Sequence, residues 1–152
     1  MRFKGIDNQT VELKIHNYQF PKEEEFDEHE NWLQIYLKVN SKVGNWQTID
    51  PSLTVSEIKE LINWFAKLSK NEQPEYNEMR FIEPNLSFWL LNDYNANPKM
   101  IQIAFNAESR PISASNSKEY FVDIRAGNHE LEKISVNLNE ELKRLLERKA
   151  SP

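Results

Sequence analysis

The sequence predicts an α+β protein: a mostly antiparallel curved β-sheet or open β-sandwich, with one inserted α-helix and one C-terminal α-helix. Three observations predict it. Several short segments alternate apolar and polar residues with the period of a half-buried strand. Two segments switch to helical spacing. Most connections are too short for parallel crossovers, which leaves antiparallel pairing.

Strands are expected at 11–15, 31–39, 79–82, 86–91, 100–105 and 119–124. In the first, Val11, Leu13 and Ile15 alternate with Glu12, Lys14 and His16. The segment 31–39 is the clearest, with Leu33, Ile35, Leu37 and Val39 on one side and Trp32, Gln34, Tyr36 and Lys38 on the other. The turn-like run Asn40 to Asn45 lets residues 43–49 return as its hairpin partner. Leu86, Phe88 and Leu90 form another inward set, with Trp89 out of phase.

The inserted helix is expected at 55–69. Thr54 and Glu57 have capping-box spacing, and Ile58, Leu61, Ile62, Phe65 and Leu68 form a face that should pack on the sheet. The last helix is expected to start near Asn137, with Leu138, Leu142, Leu145 and Leu146 on one side. Lys143, Arg144, Arg148 and Lys149 fall near its C-terminus, where the helix dipole favours cations.

The 152 residues suit one domain, 1–152. The absence of cysteine excludes disulfides, thiolate metal sites and thiol nucleophiles. The opening residues turn polar before an apolar run develops, and no window approaches a membrane span, so a cytoplasmic protein without membrane association is expected. Net charge is −5. The stretch Lys22 to Glu30 alone carries six acids and one lysine, so the rest is nearly neutral. Such a surface disfavours nucleic acid and suits a basic protein partner.

Catalytic signals are weak. His16, His29 and His129 lack metal-ligand spacing, and surface histidine accounts for them. Asp27-Glu28-His29-Glu30 lacks the spacing and glycine of a calcium loop. Glu78, Glu83, Glu108 and Asp123 could act in pairs as acid and base only if the fold converged them. Phosphate-loop, Rossmann and nucleophile-elbow motifs are absent. No cofactor and no metal are expected. Trp32, Tyr36 and Trp89 project away from the core sides of their strands. They form either a second core layer or an exposed aromatic binding face.

Ordered phrases along nearly the whole chain carry a resemblance. They begin with Phe3-Lys4-Gly5-Ile6, Val11-Glu12-Leu13-Lys14-Ile15, Tyr18-Gln19-Phe20-Pro21 and Asn31-Trp32-Leu33. Trp46 follows, with Asp50-Pro51-Ser52-Leu53-Thr54 leading into Glu57 and Leu61-Ile62-Asn63-Trp64. Phe81 to Phe88, then Glu108-Ser109-Arg110-Pro111 and Asn139-Glu140-Glu141-Leu142, complete the set. In these the chain resembles the WapI-type immunity proteins, which protect a bacterial cell against the toxic C-terminal region of a WapA-type wall-associated toxin. The resemblance implies a cytoplasmic antitoxin that binds its toxin and performs no chemistry. Toxins of this sort are often nucleases, whose phosphate-binding surface is basic.

The expected binding residues are therefore Trp32, Tyr36 and Trp89, together with the acidic Glu23, Glu24, Glu25, Asp27 and Glu28. Two other functions compete. A module for a sugar or apolar ligand would need the tryptophans in one concave pocket. A hydrolase would need converging carboxylates.

Overall fold

Residues 1–19 and 31–150 are described by the computed structural model. Among them, alternation along the strands builds two antiparallel four-stranded sheets. The first contains β1 (Arg2–Lys4), β2 (Thr10–Tyr18), β3 (Trp32–Ser41) and β4 (Gly44–Thr54), paired in that order. The second contains β5 (Glu78–Arg80), β6 (Leu86–Leu90), β7 (Lys99–Phe105) and β8 (Tyr120–Ala126), also in chain order. Helix α1 (Val55–Ser69) connects the sheets, and α2 (Asn128–Ala150) follows β8. The α+β class with an inserted and a C-terminal helix is thus the observed one. None of the helices among the described residues is long and apolar enough to cross a membrane.

The expected strands are present, with changed limits. The three residues of β1 are too few to show alternation, so the sequence alone predicts no strand there. β4 runs past the expected 43–49 and through Pro51. It lies at a sheet edge, where a missing N–H is tolerated. A register shift in β3 between Leu33 and Gln34 accommodates the same stretch.

The sheets meet along two lines. Gly5, just beyond β1, bridges Ile124 of β8. A Cβ at Gly5 would lie 2.8 Å from Val122 Cγ1 and 3.1 Å from Asp123 O, so this approach requires glycine. Further along, Trp46 of β4 packs edge-on against Phe105 and Tyr120, with ring centroids 5.4 Å and 5.9 Å away. The buried apolar side chains of both sheets and both helices form one cluster.

Helix α1 has the expected limits. Its capping box is formed, with Thr54 Oγ1 accepting from the Glu57 N–H and the Glu57 carboxylate accepting from the Thr54 N–H. Ile58, Leu61, Phe65 and Leu68 are fully buried. Each such side chain contributes about 1.5–3 kcal/mol by leaving water. Phe65 reaches both sheets, 5.7 Å from the Phe3 ring and 5.8 Å from the Phe88 ring. The helix therefore wedges between two sheets instead of lying on one. Ile62 is only half-buried, because α1 also packs beside α2; its carbonyl accepts from Ser135 Oγ at 3.0 Å.

Helix α2 begins nine residues before the expected cap at Asn137, which lies exposed within it. The buried residues Leu131, Ile134, Leu138, Leu142 and Leu145 make one continuous stripe. The β-branched Ile134 and Val136 obscured its first half, since such residues favour strands. Burial of that stripe overrides their propensity.

A buried cation ties both helices to the second sheet. Lys99 is fully buried at the start of β7. Its ammonium donates to Asn71 Oδ1 at 2.7 Å, Ala96 O at 2.8 Å and Asn128 Oδ1 at 2.7 Å. All three protons are used, as a buried charge requires. Burial holds the Lys99 pKa below the ordinary lysine value.

Candidate functional site

At one edge of the sandwich the two sheets leave a cleft of about 420 Å³. Gln19, Trp32, Asp50, Pro51, Glu83, Asn85 and Glu108 line it. Five separate pieces of chain supply these residues: Gln19, Trp32, Asp50 with Pro51, Glu83 with Asn85, and Glu108.

Gln19 and Trp32 are joined by a hydrogen bond from the Gln19 N–H to the Trp32 carbonyl at 2.8 Å. The chain between them, residues 20–30, carries the acidic stretch and lies outside the described residues, as do the expected binding residues Glu23, Glu24, Glu25, Asp27 and Glu28. Gln19 and Trp32, described residues on either side of that stretch, both line the cleft. Asp50 and Pro51 come from edge strand β4.

Glu83 and Asn85 come from the loop between β5 and β6. Two backbone bonds place this loop. The Ile82 N–H donates to Glu57 Oε1 at 2.7 Å, and the Asn85 carbonyl accepts from the Asn106 N–H at 2.9 Å. Glu108 lies in a 3-10 turn at Ala107–Ser109. The Trp46 indole N–H clamps that turn by donating to the Ser109 carbonyl at 2.8 Å. The turn starts with Ala107 at φ 48°, a left-handed conformation that costs a non-glycine residue about 1–2 kcal/mol.

The cleft is electrostatically one-sided. Asp50, Glu83 and Glu108 have no ion pair among the described residues, and no lining residue is cationic. The Asp50 carboxyl is pushed above the ordinary carboxylate range, first by burial and then by the charge of Glu108. Asn85 is only 4% exposed, and its Oδ1 has no hydrogen-bond partner among the described residues. Among the described residues no group of three or more His, Asp or Glu is arranged to hold a metal ion. The site gathers three carboxylates with the carboxamides of Gln19 and Asn85 and the ring of Trp32.

Of the four carboxylates singled out from sequence, the structure brings together Glu83 and Glu108. Glu78 instead pairs with Arg80 at 2.8 Å, and Asp123 accepts from Gln102 Nε2 at 3.1 Å. Sequence reasoning missed Asp50 and Asn85, which no local spacing distinguishes from turn residues. His16 and His129 are exposed, and His29 lies outside the described residues.

The expected aromatic residues occupy separate places. Trp32 is half-buried at the cleft. Tyr36 is half-buried on the outer face of the first sheet, opposite Lys14 and Ile49. Trp89 is 48% exposed on the outer face of the second sheet, opposite Glu78 and Gln102. None of the three belongs to the core cluster. Trp64 lines a different cleft, and Trp46 is in the core. The four tryptophans do not share one concave pocket, the arrangement a small-ligand module of the expected kind requires.

The model of a protein family described as the immunity protein WapI-like family matches residues 2–146. No curated protein gives a significant match.

Proposed function

Since the chain belongs to the WapI-like immunity protein family, we propose that it binds a cognate toxin domain and blocks it stoichiometrically, without catalysing a reaction. The observation that carries this reading is the acidic cleft, whose Asp50, Glu83 and Glu108 have no ion pair among the described residues. The sequence adds six acids between Lys22 and Glu30. A basic partner, such as a toxin that must hold phosphate, meets that potential with complementary charge. Nucleic acid itself would be repelled. The cytoplasm is where such a toxin would have to be intercepted.

Trp32, Tyr36 and Trp89 are proposed as aromatic anchors, because large rings outside a core are favoured contacts of a protein partner. The acidic residues Glu23, Glu24, Glu25, Asp27 and Glu28 are proposed to steer encounter. The test is co-purification with candidate toxin domains, followed by titration of toxin activity. Complete inhibition at one equivalent is expected. Failure to capture any toxin domain overturns the reading, and inactivation at a small fraction of an equivalent overturns the non-catalytic mechanism.

A further inference from the structure

An edge strand of an antiparallel sheet turns every second N–H and C=O away from its neighbour, and two open sheets expose four such edges. Three of them are short or approached by other chain. β1 and β5 have three residues each. Gly5 bridges Ile124 in the middle of β8. The exception is β4, with 11 residues. From Asn45 to Ile49 its backbone bonds only to β3 among the described residues.

Proteins keep edges unpaired with lysine, proline, bulges or covering loops. The run Asn45-Trp46-Gln47-Thr48-Ile49 has no charge and no proline. Pro51 and the register shift between Leu33 and Gln34 come only at the far end of the strand. Asn45, Gln47 and Ile49 are exposed, Ile49 at 51%. Ile49 also pairs with Tyr36, so a strand laid along this edge meets apolar side chains as well as free backbone groups.

We propose that the toxin partner adds a strand to the edge of β4 at Asn45–Ile49, with a cationic side chain of that strand beside Asp50. The proposal rests on the toxin-binding reading and names how the partner is held. In this mode backbone bonds supply affinity, and side chains at alternate positions supply selectivity. Charge at the end of the edge decides between occupants. Asp50 has no ion pair among the described residues. A second copy of this chain, pairing edge to edge, brings no cation there, because β4 contains neither lysine nor arginine. A strand of a basic protein supplies one, and opposite charges across paired strands attract.

The test is amide hydrogen exchange of the full chain, free and in complex with candidate toxin domains. Every second amide between Asn45 and Ile49 should exchange fast in the free protein and at least about tenfold more slowly in the complex. Two variants separate backbone pairing from side-chain contact. Gln47→Ala should leave toxin affinity nearly unchanged, since its N–H and C=O remain. Gln47→Lys installs the charge that guards natural edges and should weaken binding about tenfold or more at an unchanged thermal midpoint. If toxin binds without slowing these amides, or if the alanine and lysine variants bind equally well, strand addition is wrong while the immunity function stands. Slowing in the free protein that grows with its concentration, with a dimer in sedimentation, makes a second copy the occupant and also overturns the proposal. If no candidate toxin domain binds, the immunity reading fails and the proposed occupant with it.

Discussion

Glu57 Oε1 accepts a hydrogen bond from the Ile82 backbone N–H at 2.7 Å, across 25 residues of chain. The other oxygen of that carboxylate accepts from the Thr54 N–H at 2.9 Å and closes the helix cap. One buried side chain thus caps α1 and holds the loop that carries Glu83 and Asn85. Glu57→Ala should cost about 2–4 kcal/mol, since it removes two charge-assisted bonds from buried partners. Glu57→Gln, which keeps one acceptor, should cost about half as much. Chemical denaturation measures both; equal losses would mean that the oxygen kept by glutamine supports neither bond.

Gly5 should tolerate no side chain at the seam between the sheets. Its φ of −87° suits any residue, so a penalty for Gly5→Ala would be steric. The added methyl meets Val122 and the Asp123 backbone, an overpacking of the kind that costs about 1–3 kcal/mol. A companion Val122→Ala change should recover part of the loss in the double variant. Additive destabilisation would show that the two positions do not touch.

Asp50→Asn should stabilise the free protein at neutral pH while weakening toxin binding. An acid whose folded pKa is raised contributes stability that is present below its unfolded pKa and lost as pH rises through the folded value. The asparagine variant lacks that loss. Its advantage in thermal midpoint should therefore shrink as pH falls below the carboxylate range. A wild-type protein more stable than the variant at neutral pH would contradict this account.

Replacing Glu23, Glu24, Glu25 and Glu28 with Gln should slow association with a basic toxin and flatten its salt dependence. The off-rate should change less, because peripheral charges act mainly on encounter. Stopped-flow association at several ionic strengths measures this. Unchanged on-rates at low salt would remove the acidic segment from the mechanism.

Tyr36→Ala should weaken toxin binding by about 2 kcal/mol or more, as loss of an interface anchor does. Stability should stay nearly constant, because Tyr36 lies outside the core cluster. Trp89→Ala should behave in the same way. A loss of about 3–5 kcal/mol in folding stability, typical of aromatic truncation in cores, would instead make these rings structural. Stability and affinity must be measured on the same variants.

Period-two alternation in β3 and the Thr54–Glu57 spacing were enough to define the core side of a strand and the start of a helix, because both are local. The same holds for the antiparallel pairing, which short connections impose. The acidic stretch is also plain in the sequence, since charge needs no fold to be counted. The division into two sheets was not legible. It depends on Gly5 meeting Ile124 and on Trp46 reaching Phe105 and Tyr120, contacts between residues more than 50 positions apart. The cleft was legible only in fragments: Trp32, Glu83 and Glu108 could be named, but nothing local relates them to Asp50 or Asn85. Their convergence comes from a capping glutamate with a spare oxygen and an indole N–H that clamps a turn. Side chains can make such bonds only after the sheets have closed, so tertiary structure alone decided which carboxylates face one another.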